Sequence, residues 1–239
     1  MVILLAVIII CIAFLTEAVF GFGGGLIAVP LLSLFLGVQD AVTTVLIFQL
    51  GMGVLLLKSY KHIHWSHAWP LTIGLLVGTI VGTYGLATID ELLLTKILAV
   101  SILVFLVLPF VLKKSPTSKE KSSVVGVLSG VIGGWFQGII GTGGPVFTMY
   151  LSAIAQDKYA FRATLIFVFF VTSIIRTGTS FSLGLFNQQV LTIASFALLP
   201  YFLVLFLGSK LHVKVKPEHF KTGVNIILLL AAISLFVKH

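Results

Sequence analysis

An all-α, polytopic membrane protein built from two inverted repeats is the fold class this sequence predicts, and three observations predict it. The chain has 239 residues, of which 59% are hydrophobic and 9% charged, with a mean hydropathy of +1.19. Soluble domains carry roughly 25% charged residues, so a soluble fold of this size would lack the polar surface to stay dissolved. Apolar runs recur along the whole chain, several near the ~20 residues needed to cross a bilayer. Two glycine clusters interrupt such runs at matching places in the two halves. A membrane β-barrel would show alternating segments of about ten residues, and these runs do not alternate.

Ten apolar pieces are expected, at about 2–20, 25–36, 41–57, 68–88, 92–112, 124–140, 145–155, 160–178, 190–209 and 220–237. The first has no Lys or Arg before it and no small-residue cleavage site, so it reads as a membrane helix and not as a cleaved signal. Its single Cys11 reads as a small buried hydrophobe. The second and seventh pieces are too short to span the hydrocarbon core as helices. Each follows a glycine cluster. The others are long enough to cross or nearly so.

The stretch "KKSPTSKEKSS" (Lys113–Ser123) is the one long polar segment and divides the chain nearly in half. The halves match in order. "GFGGGLIAVPLL" (Gly21–Leu32) overlays "GTGGPVFTMYL" (Gly141–Leu151) at an offset of 120, and "AVTTVLIF" (Ala41–Phe48) overlays "AFRATLIF" (Ala160–Phe167) at 119. A duplication follows, with residues 1–112 as the first transmembrane repeat, 113–123 as a linker and 124–239 as the second repeat. Each half holds a glycine-broken helical hairpin and three long helices.

Charge sets the topology. Twelve of the fifteen Lys and Arg lie in four places. These are after piece three (Lys58, Lys61), in the linker (Lys113, Lys114, Lys119, Lys121), before piece eight (Lys158, Arg162) and between pieces nine and ten (Lys210, Lys214, Lys216, Lys221). The positive-inside rule puts these in the cytoplasm. The loops with Asp40, with Asp90 and Glu91, and with Asn187–Gln189 lack Lys and Arg and go outside. Corresponding loops then fall on opposite sides, so the repeats are inverted, a recurring plan of secondary transporters. The terminal Lys238 fits this arrangement less well. The net charge of +8 is explained by cytoplasmic loops and does not call for nucleic acid. The expected location is a bacterial or archaeal cytoplasmic membrane, with the linker cytoplasmic. Whether each short piece re-enters or crosses the bilayer stays open.

Non-helical backbone is tolerated within a bilayer only where protein or a water-filled cavity satisfies it. The clusters Gly21, Gly23, Gly24, Gly25 and Gly141, Thr142, Gly143, Gly144 therefore point to the interior. The short helix after each presents free N–H groups and a positive dipole end to an anion. Neither cluster has the dinucleotide or P-loop pattern. The plainer reading is that the glycines allow close helix packing.

These residues resemble the sulfite exporter TauE/SafE family of membrane permeases. "GFGGGLIAVPLL" with "AVTTVL", repeated as "GIIGTGGPVFTMYL" with "AFRATL", carries the likeness over nearly the whole chain. The second motif has Pro145 and Tyr150 where the first has Gly25 and Pro30. The resemblance implies transport of small anions, often sulfur-containing, without fixing the substrate or the direction.

Glu17 lies inside the first run, one turn before Gly21, and the overlay puts Gln137 at its place in the second half. Intramembrane acids are functional by default, which suggests a proton-coupling site. An interfacial or packing carboxyl is the alternative. Arg176 suits bidentate oxyanion binding or snorkelling to outer headgroups. Gln49, Thr43, Thr44 and Thr164 suit sulfonate oxygens or interhelical ties, and Asn225 suits a tie. "HIHWSHAW" lacks a carboxylate or Cys to complete a metal site and reads as an interface belt. The expected function is secondary transport of a small anion across the bilayer, with protons as a candidate coupling ion and no cofactor. An anion channel is the runner-up. An intramembrane enzyme lacks its motifs, and no nucleotide-binding motif points to ATP.

Overall fold

The structure is a computed structural model that describes residues 1–20, 23–53, 60–111, 123–154, 158–211 and 234–235. The described residues are helical and carry no strand. The helices are α1 (Val2–Phe20), α2 (Gly24–Leu36), α3 (Val38–Gly51), α4 (Trp65–Thr88), α5 (Glu91–Val111), α6 (Ser123–Ile140), α7 (Gly144–Ser152), α8 (Lys158–Ser182) and α9 (Gln188–Leu211). A single 3-10 turn, Tyr60–His62, precedes α4. Nine of the ten expected apolar pieces thus appear as helices. α8 runs four residues past its expected end at 178. The end of piece three beyond Gly53, most of the linker and nearly all of piece ten lie outside the described residues.

Among the described residues, five helices are long and apolar enough to cross a membrane. Their outer faces carry large apolar side chains such as Leu4, Val77, Val81, Leu128, Leu199 and Leu203, while in the bundle Glu17, Gln49, Gln137 and Arg176 are buried. Apolar outside with polar groups buried is the arrangement a lipid solvent selects. α2 and α7 have 13 and 9 residues, about 20 Å and 14 Å at helical rise, against a ~30 Å hydrocarbon core.

The three corners without Lys or Arg gather at one end of the bundle. Glu91, opening α5, accepts the Val38 N–H that opens α3. Gln39 Nε2 donates to Leu86 O at 3.2 Å, and Asn187 Nδ2 donates to Asp40 Oδ1 at 2.7 Å. Elsewhere the His64 N–H donates to Thr164 Oγ1 at 3.1 Å, and His62 lies 6.0 Å from the Tyr159 ring. Lys61 and Arg162 belong to these segments, so described basic residues from the two halves share one region.

Packing exchanges helices between the sequence halves. α9 lies against α1 and α3, and α4 lies against α6 and α8. The α4–α6 seam is the tightest. Gly74, Gly78 and Gly82 on α4 interlock with Gly130, Gly134 and Gly138 on α6. A Cβ at Gly78 would overlap the Val131 carbonyl oxygen and sit 2.9 Å from the Trp135 nitrogen. Backbone cannot yield as a side chain can. Gly78→Leu is therefore expected to destabilise the fold by more than about 3 kcal/mol. Its neighbour Val77 is exposed, so Val77→Leu serves as the neutral control. A thermal-unfolding series on the purified variants checks this.

Two apolar clusters follow this division in part. One is built mainly from α1, α2, α3, α5 and α9 around Phe14, Phe48 and Tyr201, and also takes in Leu86, Ile139, Ile140 and Ile166 from α4, α6 and α8. The Tyr201 hydroxyl donates to Phe48 O at 2.7 Å. The other joins α4, α7 and α8 through Leu71, Leu75, Phe147 and Phe169. Polar contacts, described next, occupy the seam between them.

Candidate functional site

The site forms where the two helix breaks meet. Gly23, at φ 109°, lies in the left-handed region that glycine tolerates best and turns the chain from α1 into α2. Gly141, at φ 67°, does so after α6. The two breaks touch: a Cβ on Gly25 would overlap the Gly141 carbonyl oxygen and lie 2.8 Å from Gln49 Nε2. Only a residue without a side chain permits this approach.

Each break is closed by the side chain that overlays its counterpart. Gln137 Oε1 accepts the Gly143 N–H at 2.7 Å, at the head of α7. The Glu17 carboxyl lies against Gly24 at the head of α2. The amide Gln137 then extends the network. Its Nε2 donates to Gln49 Oε1 at 3.1 Å, and Arg176 Nη1 donates to the same oxygen at 2.8 Å. Arg176 Nη2 lies 3.4 Å from Val42 O. Both acceptors are neutral, so hydrogen bonds hold the guanidinium here without a carboxylate among them.

A small, partly open cavity lies here, lined in part by Glu17, Gly25, Gln49, Gln137, Thr142 and Phe169. It has room for about one water molecule. Two lining atoms, Glu17 Oε2 and Thr142 Oγ1, are buried without a hydrogen-bond partner, on residues only 2% exposed. Arg176 is 1% exposed and its Nε is also unpartnered. Buried polar atoms are nearly always paired, so two orphans lining one cavity, with a third on Arg176 behind Gln49, mark a place suited to a polar guest.

The residues singled out in the sequence divide as follows. Glu17, Gly23, Gly25, Gln49, Gln137, Gly141, Thr142 and Gly144 line the cavity. Gly143 supplies its N–H to Gln137, and Gly24 lies against the Glu17 carboxyl. Arg176 sits behind Gln49, in the interior and away from any headgroup position. Thr44 is buried with an unpaired hydroxyl but is not a lining residue. Thr43 bonds the Gln39 carbonyl. Thr164 is spent on the His64 N–H. Gly21 and Asn225 lie outside the described residues. Among those residues, no cluster of His, Cys, Asp or Glu could hold a metal ion.

Two residues of interest were not singled out. Phe169 walls the cavity, and nothing distinguishes it in "FVFFVTS" from its phenylalanine neighbours. Arg162, counted as a loop charge, sends Nη2 to Ala18 O at 2.7 Å, capping the end of α1 next to Glu17. Its place in "AFRATL" was the available signal.

A lipid-facing helical bundle with a buried polar site between two broken helices defines the class: a multi-pass membrane transporter. The chain belongs to the sulfite exporter TauE/SafE family, which it matches over residues 5–235. It is 26% identical over 234 residues to a protein of Cupriavidus necator named "Probable sulfite/organosulfonate exporter TauE", covering 92% of this chain and 91% of that relative. No solved structure matches the chain.

Proposed function

We propose that this protein exports a small sulfur-containing anion, sulfite or an organosulfonate, by alternating access around the meeting point of its two helix breaks. One observation carries the reading: Gly25 and Gly141 touch, and Glu17, Gln49 and Gln137 line the cavity beside them, with Arg176 bonded to Gln49 from behind. Oxyanions are bound by helix N-termini and guanidinium groups, and both are present. The cavity has room for about one water molecule, so binding sulfite requires the groups around it to part.

The repeats are inverted, and each contributes one break. The moving units are the exchanged packing groups: α1, α2, α3 and α9 on one side, α4, α6, α7 and α8 on the other. Opening breaks the Gln49 bonds to Gln137 and Arg176, which cross between the groups. Glu17 couples the cycle to protons. The protein acts in a bacterial or archaeal cytoplasmic membrane, with the linker inside.

Counterflow tests the reading. Vesicles holding the purified protein and unlabelled sulfite are expected to accumulate labelled sulfite transiently, with saturation. Flux that rises linearly with sulfite and shows no counterflow would make the protein a channel instead.

A further inference from the structure

The carboxyl at position 17 does more than close a helix end. Gln137 does the same work at the head of α7 with a neutral amide, and both its polar atoms are bonded. The Glu17 carboxyl lies at the head of α2 with Oε2 unpartnered and facing the cavity. A Cβ on Gly24 would collide with that oxygen. The carboxyl therefore already fills the position where α2 would hold the oxygen of a bound oxyanion.

We propose that the Glu17 carboxylate is the resident anion of this site, and that a singly charged substrate takes its place as Glu17 takes up a proton. The inference rests on the transport reading above and goes beyond it to charge selectivity and coupling. Exchanging the carboxylate charge for that of a bound monoanion leaves the charge buried in the bundle unchanged. A dianion adds one further buried negative charge, which is costly away from water. Sulfonates and hydrogensulfite are accepted, and sulfate is rejected. Each anion then travels with about one proton, in the same direction and without net charge.

The other ionisable groups around Glu17 do not supply this proton. Tyr201 on α9 lies within electrostatic range, and its hydroxyl is committed to Phe48 O. Arg162 on α8 is committed to Ala18 O, and Arg176 is turned to Gln49. Asp40, the acid of α3, is engaged with Asn187. The helices α2 and α6 carry no titratable side chain.

Methanesulfonate is the probe, because it is a monoanion at every working pH. Calorimetric titration of the purified full chain, in buffers of different ionisation enthalpy, measures protons taken up on binding. Uptake is expected to rise from zero at acid pH towards about one per anion at alkaline pH, while affinity falls about tenfold per pH unit. The sign follows because binding favours the protonated carboxyl. Glu17→Gln is expected to bind methanesulfonate with no proton uptake and no pH dependence. Sulfate is expected to compete at least about a hundredfold less well, a difference of about 2.7 kcal/mol. Binding without proton uptake at any pH, uptake that persists in Glu17→Gln, or sulfate binding on a par overturns the inference and leaves the transport reading intact. Absence of binding by both sulfite and methanesulfonate overturns both. If Glu17→Gln is not recovered folded, the wild-type pH series decides alone.

Discussion

Gly25→Val is expected to abolish transport. The added Cβ would overlap the Gly141 carbonyl oxygen, and the branched methyls would enter the space held by Gln49 Nε2. The carbonyl belongs to a backbone turn at φ 67°, which has little freedom to move. Overpacking at such a contact costs about 1–3 kcal/mol or more. The breaks must then separate, pulling Gln137 away from Gln49. Gly178 provides the control, since nothing lies within 4 Å of a Cβ there. Gly178→Ala is expected to transport sulfite normally in the same vesicles. A Gly25→Val protein with wild-type counterflow would mean that the breaks do not need to touch.

Arg176→Gln should have the second-largest effect. The guanidinium is fully buried, donates to Gln49 Oε1 and keeps an unpaired Nε. An amide can replace one hydrogen bond but not the charge. Loss of a charged hydrogen bond is worth about 1.5–3 kcal/mol, so anion affinity should fall about 10- to 150-fold. The variant should remain folded, because its bonds are to neutral acceptors and no buried carboxylate is left unpaired by the change. Arg176→Lys keeps the charge but loses the planar fork that reaches Gln49 and Val42 together. It should recover part of the affinity. Undiminished sulfite affinity in Arg176→Gln would remove the guanidinium from the anion site.

Much of the fold is legible in the sequence because a bilayer imposes simple rules on it. Helix α1 ends where its apolar run meets glycine, and the short helices α2 and α7 follow the two glycine clusters. The corners at Gly37, Ile89 and Leu185–Asn187 fall at the breaks between apolar runs. What the sequence does not carry is partnership. The spacing of four in Gly74, Gly78 and Gly82 signals a helix face that admits a close neighbour, but not that α6 fills it. The exchange of α4 and α9 between the halves has no local signature.

The site divides the same way. Glycine, Glu17 and Gln137 stand out because polar or flexible residues are rare in apolar runs. Thr142 and Thr164 look equivalent in such runs, yet one lines the cavity and the other binds a loop N–H. Arg176 reads from its position as a residue near a helix end. Only the fold shows that Gln49, 127 positions earlier, waits for it in the interior.

The central claim is that a small sulfur oxyanion binds where the two breaks meet. Calorimetric titration of sulfite into the purified protein tests it most directly, with Arg176→Gln and Gly25→Val alongside. Saturable binding by the wild-type chain, weakened in the first variant and absent in the second, is the predicted result. Equal binding by all three folded proteins, or none by the wild type, would contradict it.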